Sequence, residues 1–390
     1  MNFIFVSLFT NYFFPNTRVE ALINQLEGES VLITADYNHS VKDYFSNIKA
    51  TPLKTNQKQV LLHVPAYKSN ISVKRILSHV VFAYRLKKYL DSVGKPPAAL
   101  YCAMPPSFAS YVCARYCQKK RVRFVIDVID IWPDSLLPLV KGKSIVKAIL
   151  HPWTSITRYA YKHADVIMGE SVAYANEAKK YNKIAQTYPL YLGVDIDFVK
   201  KVKCNNPVFL TKPNDEIWIG YAGSLGNSYD FESLLDAVDS IKERFKYKLW
   251  FIGDGVRRVE IEKRIRESSI NAQITGFLPY DQLLGYLSYC DIAVNIFRKD
   301  TKVVYSYKFN DYVAMECFVL NSLDGETATM VDDYKIGKNF NFSDKPLSIV
   351  LEDTLNNWEL FSAYKGNAQS LINDKLDKKR IYSVAKEIFC

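Results

Sequence analysis

The chain has 390 residues, 48% hydrophobic and 24% charged, with a net charge of +10. That is enough apolar material for two cores, because single domains stop growing near about 250 residues, and it excludes disorder and fibrous repeats. Seven cysteines without a Cys-x-x-Cys pair and five histidines without a His-x-x-x-His spacing exclude a disulfide framework and a zinc knuckle. A reducing cytoplasm and no tightly bound metal are therefore expected.

The first half carries the basic charge. Residues 1–200 hold 26 Lys/Arg against 14 Asp/Glu, whereas residues 201–390 hold 25 against 27. No run reaches the roughly 18 uncharged apolar residues of a membrane-spanning helix. The apolar opening lacks a basic leader and a small-residue cleavage site, so it reads as a first strand rather than a signal peptide.

In chain order, strand-like runs fall at 3–9, 31–35, 60–64, 98–104, 124–129 and 166–168, with helical patterns at 74–90, 106–119 and 145–163. The pattern through Lys74, Arg75, Val80, Tyr84, Lys87 and Lys88 alternates apolar and basic groups at helical spacing, which suits an anionic lipid surface. Residues 124–134 are unusual: a strand ends in Asp127 and Asp130, then Trp132, Pro133 and Asp134. Asp130, at an apolar strand end, is a candidate pocket acid, and Asp134 a turn former or cap.

Lys, Asn, Pro and Asp break the apolar pattern over 200–215. The series then restarts, with strands at 216–223, 247–253, 273–277, 291–297 and 318–323 and helices at 230–245, 256–268, 280–289 and 307–316. Continuous apolar strands alternating with amphipathic helices predict parallel sheets covered on both faces. We therefore expect an α/β chain of two doubly wound, Rossmann-like domains facing a central cleft: 1–200, 201–373, and a helical segment 374–390 that returns to the first domain.

Ligands of such sheets bind at the carboxyl ends of strands. In the second half these ends carry glycine turns: Gly220 to Gly226, Gly253-Asp254-Gly255, and Gly276-Phe277-Leu278-Pro279. They let backbone approach a phosphate, a ribose and a base. Lys308 and Asp311, three apart near a helix start, share one face that could hold phosphate and sugar hydroxyls. A surface ion pair is the plainer alternative for them. Gly325 and Glu326 lie at a further strand-to-helix turn.

These motifs, in this order, resemble glycosyltransferase family 4, the retaining GT-B class, and especially its O-antigen and capsular polysaccharide branch. The resemblance rests on residues 127–134, 164–171, 193–195, 220–226, 252–255, 276–279, 307–314 and 325–326. It implies that the carboxyl-terminal domain binds a UDP- or GDP-linked sugar through Gly223, Ser224, Gly226, Gly253, Asp254, Gly276, Phe277, Lys308, Asp311 and Glu326. Lys308 would lie by the diphosphate, Asp311 near the ribose and Glu326 near the sugar. The amino-terminal domain would bind the acceptor, a lipid-linked saccharide at the inner membrane face, with Arg18, Asp127 and Trp132 on the acceptor side. Asp130 would orient or deprotonate the acceptor hydroxyl.

The chain departs from the family pattern in places. Val303 replaces the first acid of the usual Glu-x7-Glu pair and Asp311 the second, while Ser224 and Tyr229 stand where Arg and Lys usually follow the first glycine turn. Arg298, Lys299 or Lys302 could supply the missing charge. No nucleic-acid motif accompanies the basic stretch. A sugar-nucleotide epimerase of the same fold and a catalytically silent assembly partner are the alternative functions.

Overall fold

The computed structural model describes residues 2–9, 17–39, 42–45, 56–69, 72–133, 143–299, 301, 303–361 and 364–390, with backbone only for 143–149 and 361. The chain divides into two compact units, Met1–Tyr191 with Tyr382–Cys390, and Leu192–Ile381.

The first unit contains β1 (Asn2–Val6), β2 (Glu29–Ala35), a short antiparallel pair β3 (Tyr37–Asn38) and β4 (Asp43–Tyr44), then β5 (Gln57–Leu62), β6 (Ala99–Met104), β7 (Arg123–Val128), β8 (Val166–Gly169) and β9 (Gln186–Pro189). Its main sheet is parallel throughout, in the order β5-β2-β1-β6-β7-β8-β9. All six residues of β6 are buried, as a central strand covered on both faces requires. The helix Val73–Ser92 starts where the Ser72 hydroxyl accepts from the Arg75 amide at 3.2 Å. It buries Arg75, His79, Phe82, Leu86 and Leu90 on one face.

The second unit repeats the plan with β10 (Ile217–Ala222), β11 (Tyr247–Ile252), β12 (Ala272–Ile274), β13 (Ile292–Asn295), β14 (Phe318–Asn321) and β15 (Gly337–Asn339). The parallel order β12-β11-β10-β13-β14-β15 is the doubly wound order, in which the chain leaves β10 on one side and returns on the other. Asp230 caps the helix Phe231–Ile241, and Phe231, Leu234, Leu235, Val238 and Ile241 recur at the spacing that buries one face. Each such side chain, fully removed from water, contributes about 1.5–3 kcal/mol.

The division falls at 191/192 rather than 200/201. Val194 donates to the Leu376 carbonyl at 2.6 Å and accepts from the Lys378 amide at 3.1 Å, while Phe198, on the helix Ile196–Cys204, stacks on Tyr280. These contacts hold residues from 192 onward to the second unit. At the other end, residues up to Ile381 stay with the second unit, so the returning piece starts at Tyr382 rather than 374. There Phe389 packs against Phe3, Phe5 and Tyr101 of the first sheet.

Candidate active site

In the second unit, strand order reverses between β10 and β13, and the carboxyl ends of those strands mark where a doubly wound sheet takes a ligand. Gly223 follows β10 with φ +117°, a conformation open to glycine. A Cβ at Gly253 would meet the Gly223 carbonyl oxygen at 2.0 Å, and one at Gly255 the Leu225 carbonyl at 2.5 Å. The turns after β10 and β11 thus pack backbone on backbone. Leu225 donates to the Asp254 carbonyl at 2.9 Å, and Arg257 to the Leu225 carbonyl at 3.0 Å. Ser224 and Asp254 stay exposed on this rim, as does Phe277 beyond Gly276. Arg258 pairs with Asp254 at 3.0 Å beside Gly276.

Lys308 reaches the switch point from the helix Tyr307–Ala314. Its ammonium donates to the Tyr221 hydroxyl at 2.7 Å, which donates to the Ser224 carbonyl at 2.7 Å. It also lies 4.1 Å from the centre of the Tyr221 ring, 3.8 Å from that of Tyr229 and 5.7 Å from that of Phe297. Three aromatic rings thus flank one cation, an attraction worth about 0.5–2 kcal/mol per well-placed ring. Burial holds the Lys308 ammonium well below the usual lysine range, partly opposed by Asp311. A Cβ on Gly223 would touch Lys308 Nζ at 3.4 Å, so the lysine lies directly against the glycine turn.

Asp311 accepts from the Tyr280 hydroxyl at 2.7 Å. Burial lifts its carboxyl to about 6, against the Tyr280 hydrogen bond and the charge of Lys308. Glu326 opens a helix behind Gly325, whose φ of +75° makes the turn. A ladder of amides, buried at Asn295 and Asn321, supports that turn. Asn295 donates to Asn321 and Asn321 to Asn339, both at 2.8 Å, where the carboxyl ends of β13, β14 and β15 pair in register. Asn321 also donates to the Leu323 carbonyl at 2.7 Å and accepts from its amide at 3.2 Å.

In the first unit, Asp130 follows β7, and its carboxylate accepts from the Trp132 indole and the Ile131 amide, each at 2.7 Å. Arg18 and Asp127 need correction as acceptor-side residues. Both are buried and bond each other at 2.6 and 2.9 Å, with the Tyr101 hydroxyl donating to Asp127 at 2.6 Å. Arg18 further donates to the Leu190 carbonyl and to the Tyr382 hydroxyl. Every charged atom of the pair thus has a protein partner, so the pair ties the returning segment to the sheet. Trp132 is buried as well, its indole N–H donating to Asp130 and its ring packed against Arg75, His79 and Trp153.

Of the cations considered as substitutes, Arg298 and Lys299 are exposed just beyond Phe297; Lys302 lies outside the described residues, as does Asp134. Tyr221, Tyr229 and Phe297 escaped sequence reasoning as partners of Lys308. Tyr221 and Tyr229 stand in and just after the Gly220 to Gly226 motif, which was the available signal.

Residues 203–296 match the family model described as Glycosyl transferases group 1. That stretch holds the three glycine turns and ends before Lys308. Similar solved structures extend over the whole chain. Sucrose-phosphate synthase (tll1590) from Thermosynechococcus elongatus is 12% identical with a TM-score of 0.73, over 100% of this chain and 98% of that one. Alr3699/HepE from Anabaena, solved in complex with UDP and glucose, is 12% identical with a TM-score of 0.67, over 99% and 98%. WaaG, a glycosyltransferase involved in lipopolysaccharide biosynthesis, is 13% identical with a TM-score of 0.67, over 99% and 98%. The fold is GT-B. Comparison with curated protein sequences finds no match. Within the GT-B fold, the stretch that matches the group 1 glycosyltransferase model lies in the second unit, whose switch point is the place described above.

Proposed function

We propose that the chain is a retaining glycosyltransferase that moves a sugar from a nucleoside-diphosphate sugar to a lipid-linked saccharide in surface polysaccharide assembly. The observation that carries this reading is Lys308 lying against Gly223 at the switch point of the group 1 domain. Similar structures hold UDP, UDP with glucose, or UDP-glucose, which favours UDP as the donor nucleotide.

In the reaction, the bond between the sugar's anomeric carbon and the diphosphate oxygen breaks, and the electron pair leaves with the diphosphate. The acceptor oxygen bonds the same carbon on the same face and gives up its proton. Negative charge grows on the departing diphosphate, and Lys308 with the amide dipoles of its helix supplies the opposing charge without a metal ion. Asp311 meets the ribose, and Glu326 the sugar. Asp130, its carboxylate held by Trp132, orients the acceptor hydroxyl and takes its proton.

The helix Val73–Ser92 supports a membrane-bound acceptor. Val73, Ile76, Leu77, Val80 and Tyr84 are exposed along it, beside exposed Lys74, Arg85, Lys87 and Lys88. An apolar stripe flanked by cations suits an anionic bilayer surface on the cytoplasmic side. No helix among the described residues is long and apolar enough to cross a membrane.

The deciding experiment incubates the protein with a panel of UDP- and GDP-sugars and lipid-linked acceptors, and weighs the products by mass spectrometry. A product heavier by one sugar residue, formed only with both substrates, is expected. Conversion of the donor without an acceptor would instead indicate an epimerase, and no binding of donor or nucleotide would indicate a silent partner.

A further inference from the structure

The helix Val73–Ser92 directs Arg75 and His79, one turn apart, to the carboxyl edge of the first sheet. There the Arg75 guanidinium lies 4.5 Å from the centre of the Trp132 ring, 5.6 Å from that of Phe9 and 5.9 Å from that of Tyr67. His79 packs between Phe9 and Trp132, with ring centres 5.8 and 5.5 Å away. Phe9 follows β1, and strand order in this sheet reverses between β1 and β6, so the cluster sits at the ligand end of a doubly wound sheet.

Two features mark the cluster as a binding site rather than packing. His79 is completely buried, yet neither ring nitrogen has a hydrogen-bond partner among the described residues. A buried polar group left in that state costs free energy that a ligand would recover. The second feature is charge. Arg75 and Lys42 bring two cations to one place, and Lys42 Nζ lies 3.3 Å from His39 Nδ1. His39 Nδ1 also lies 2.7 Å from the Tyr67 hydroxyl, and Lys42 Nζ sits 5.1 Å from the centre of the Tyr67 ring. Burial and the charge of Arg75 keep both imidazoles neutral, His39 at about 4 and His79 at about 3. Among the described residues Asp130 is an acid that faces Arg75, and Tyr67 hydrogen-bonds that guanidinium; the Asp130 oxygens accept from Trp132 and Ile131. Lys42, His39 and Asp130 are half-buried, so the cluster meets solvent through them.

We propose that Arg75, Lys42, His39 and His79 form a phosphoryl-binding subsite that takes the phosphate of the acceptor. Cations over aromatic faces and imidazole N–H groups match phosphate oxygens, which accept several hydrogen bonds at once. The assignment to an acceptor rests on the transferase reading. A lipid-linked diphosphate and a soluble sugar phosphate present the same group.

The test titrates farnesyl diphosphate, farnesol and a hexose 6-phosphate into the full chain saturated with UDP, which fills the nucleotide site. Farnesyl diphosphate is expected to bind well above farnesol, and Arg75→Gln to weaken it by about thirtyfold or more. Arg75→Lys should recover part of the loss and Lys42→Ala show a smaller one, with UDP affinity unchanged throughout as the check on folding. Tighter binding of farnesyl diphosphate assigns the lipid carrier, and tighter, Arg75-dependent binding of the hexose phosphate the soluble ester. Equal binding of diphosphate and alcohol, or unchanged diphosphate affinity in Arg75→Gln and Lys42→Ala, overturns the subsite. Failure of the wild type to bind UDP overturns the transferase reading alone, because the diphosphate–alcohol comparison still decides the subsite.

Discussion

The Lys308 ammonium and the Tyr229 ring are 3.8 Å apart, centre to charge, on the face where the ammonium also donates to Tyr221. A lysine held this way has lost much of its water before any substrate arrives, so a diphosphate would meet a pre-set charge rather than a hydrated one. Removing it should therefore damage turnover more than folding. Lys308→Ala is expected to lower kcat by about a hundredfold or more, with the urea midpoint close to that of the wild type. Undiminished turnover in that variant would take Lys308 out of the reaction.

If Lys308 steadies the leaving diphosphate as proposed, Tyr229 would act through it, its ring centre lying 3.8 Å from the ammonium. Tyr229→Phe keeps the ring and should leave kcat/KM within a few-fold, whereas Tyr229→Leu should cost about tenfold. Equal losses in the two variants would mean that the hydroxyl, not the ring face, matters.

Asp311 yields a pH prediction with two opposite signs. Its folded carboxyl titrates at about 6, above the roughly 4 of an unfolded aspartate. The folded state thus holds the proton more tightly, so this group favours folding most at low pH and loses that contribution as pH rises towards 6. Ribose binding at Asp311, as proposed, would run the other way, since a hydroxyl donates to the ionised form. Uridine, which has no phosphate to titrate, is expected to bind more weakly as pH drops from 7 to 5, and Asp311→Asn to show no such slope. A flat wild-type profile would separate Asp311 from the ribose.

The amide ladder can be cut at its middle. Asn321→Ala leaves the buried Asn295 side chain without its acceptor and should destabilise the second unit by about 2 kcal/mol, read from urea unfolding. It should also raise KM for the donor, because the turn carrying Glu326 loses its anchor at Leu323. An unchanged KM at lowered stability would confine the ladder to a structural role.

Arg18 and Asp127 invite a stability test instead. Arg18→Met leaves a buried carboxylate facing Tyr101, and removal of one partner from such a pair costs about 3–5 kcal/mol. Thermal unfolding should shift down accordingly, and Asp127→Asn should cost a comparable amount, because it leaves the buried Arg18 guanidinium without its counter-charge. A near-neutral Arg18→Met would show that water reaches the pair.

Much of the fold was legible because β6 and β10 are unbroken apolar runs, β7 and β11 are mostly apolar, and their crossover helices are amphipathic. The strands β9 and β15 were not: the sequences Gln186–Pro189 and Gly337–Asn339 lie at sheet edges, where one neighbour suffices and no apolar run is needed. Of the residues read as a candidate site, the structure brings Gly223 and Lys308 together, and their types suggested it through close backbone approach and charge. Arg18 and Asp127 misled because spacing cannot tell a charge that faces a ligand from one that meets a partner 109 residues away. The aromatic faces around Lys308 and Arg75 depend on strands brought together only by the fold.

Residues Tyr382–Cys390 complete the first unit, yet they follow all of Leu192–Ile381 in the chain. On a ribosome, domains tend to form in the order they emerge. Here the earlier sheet must wait, with Phe3, Phe5 and Tyr101 uncovered, until the later sheet has been translated and the closing segment has cleared the exit tunnel. The first unit is thus sealed only after the whole of the second has been synthesised, although its own strands are made first.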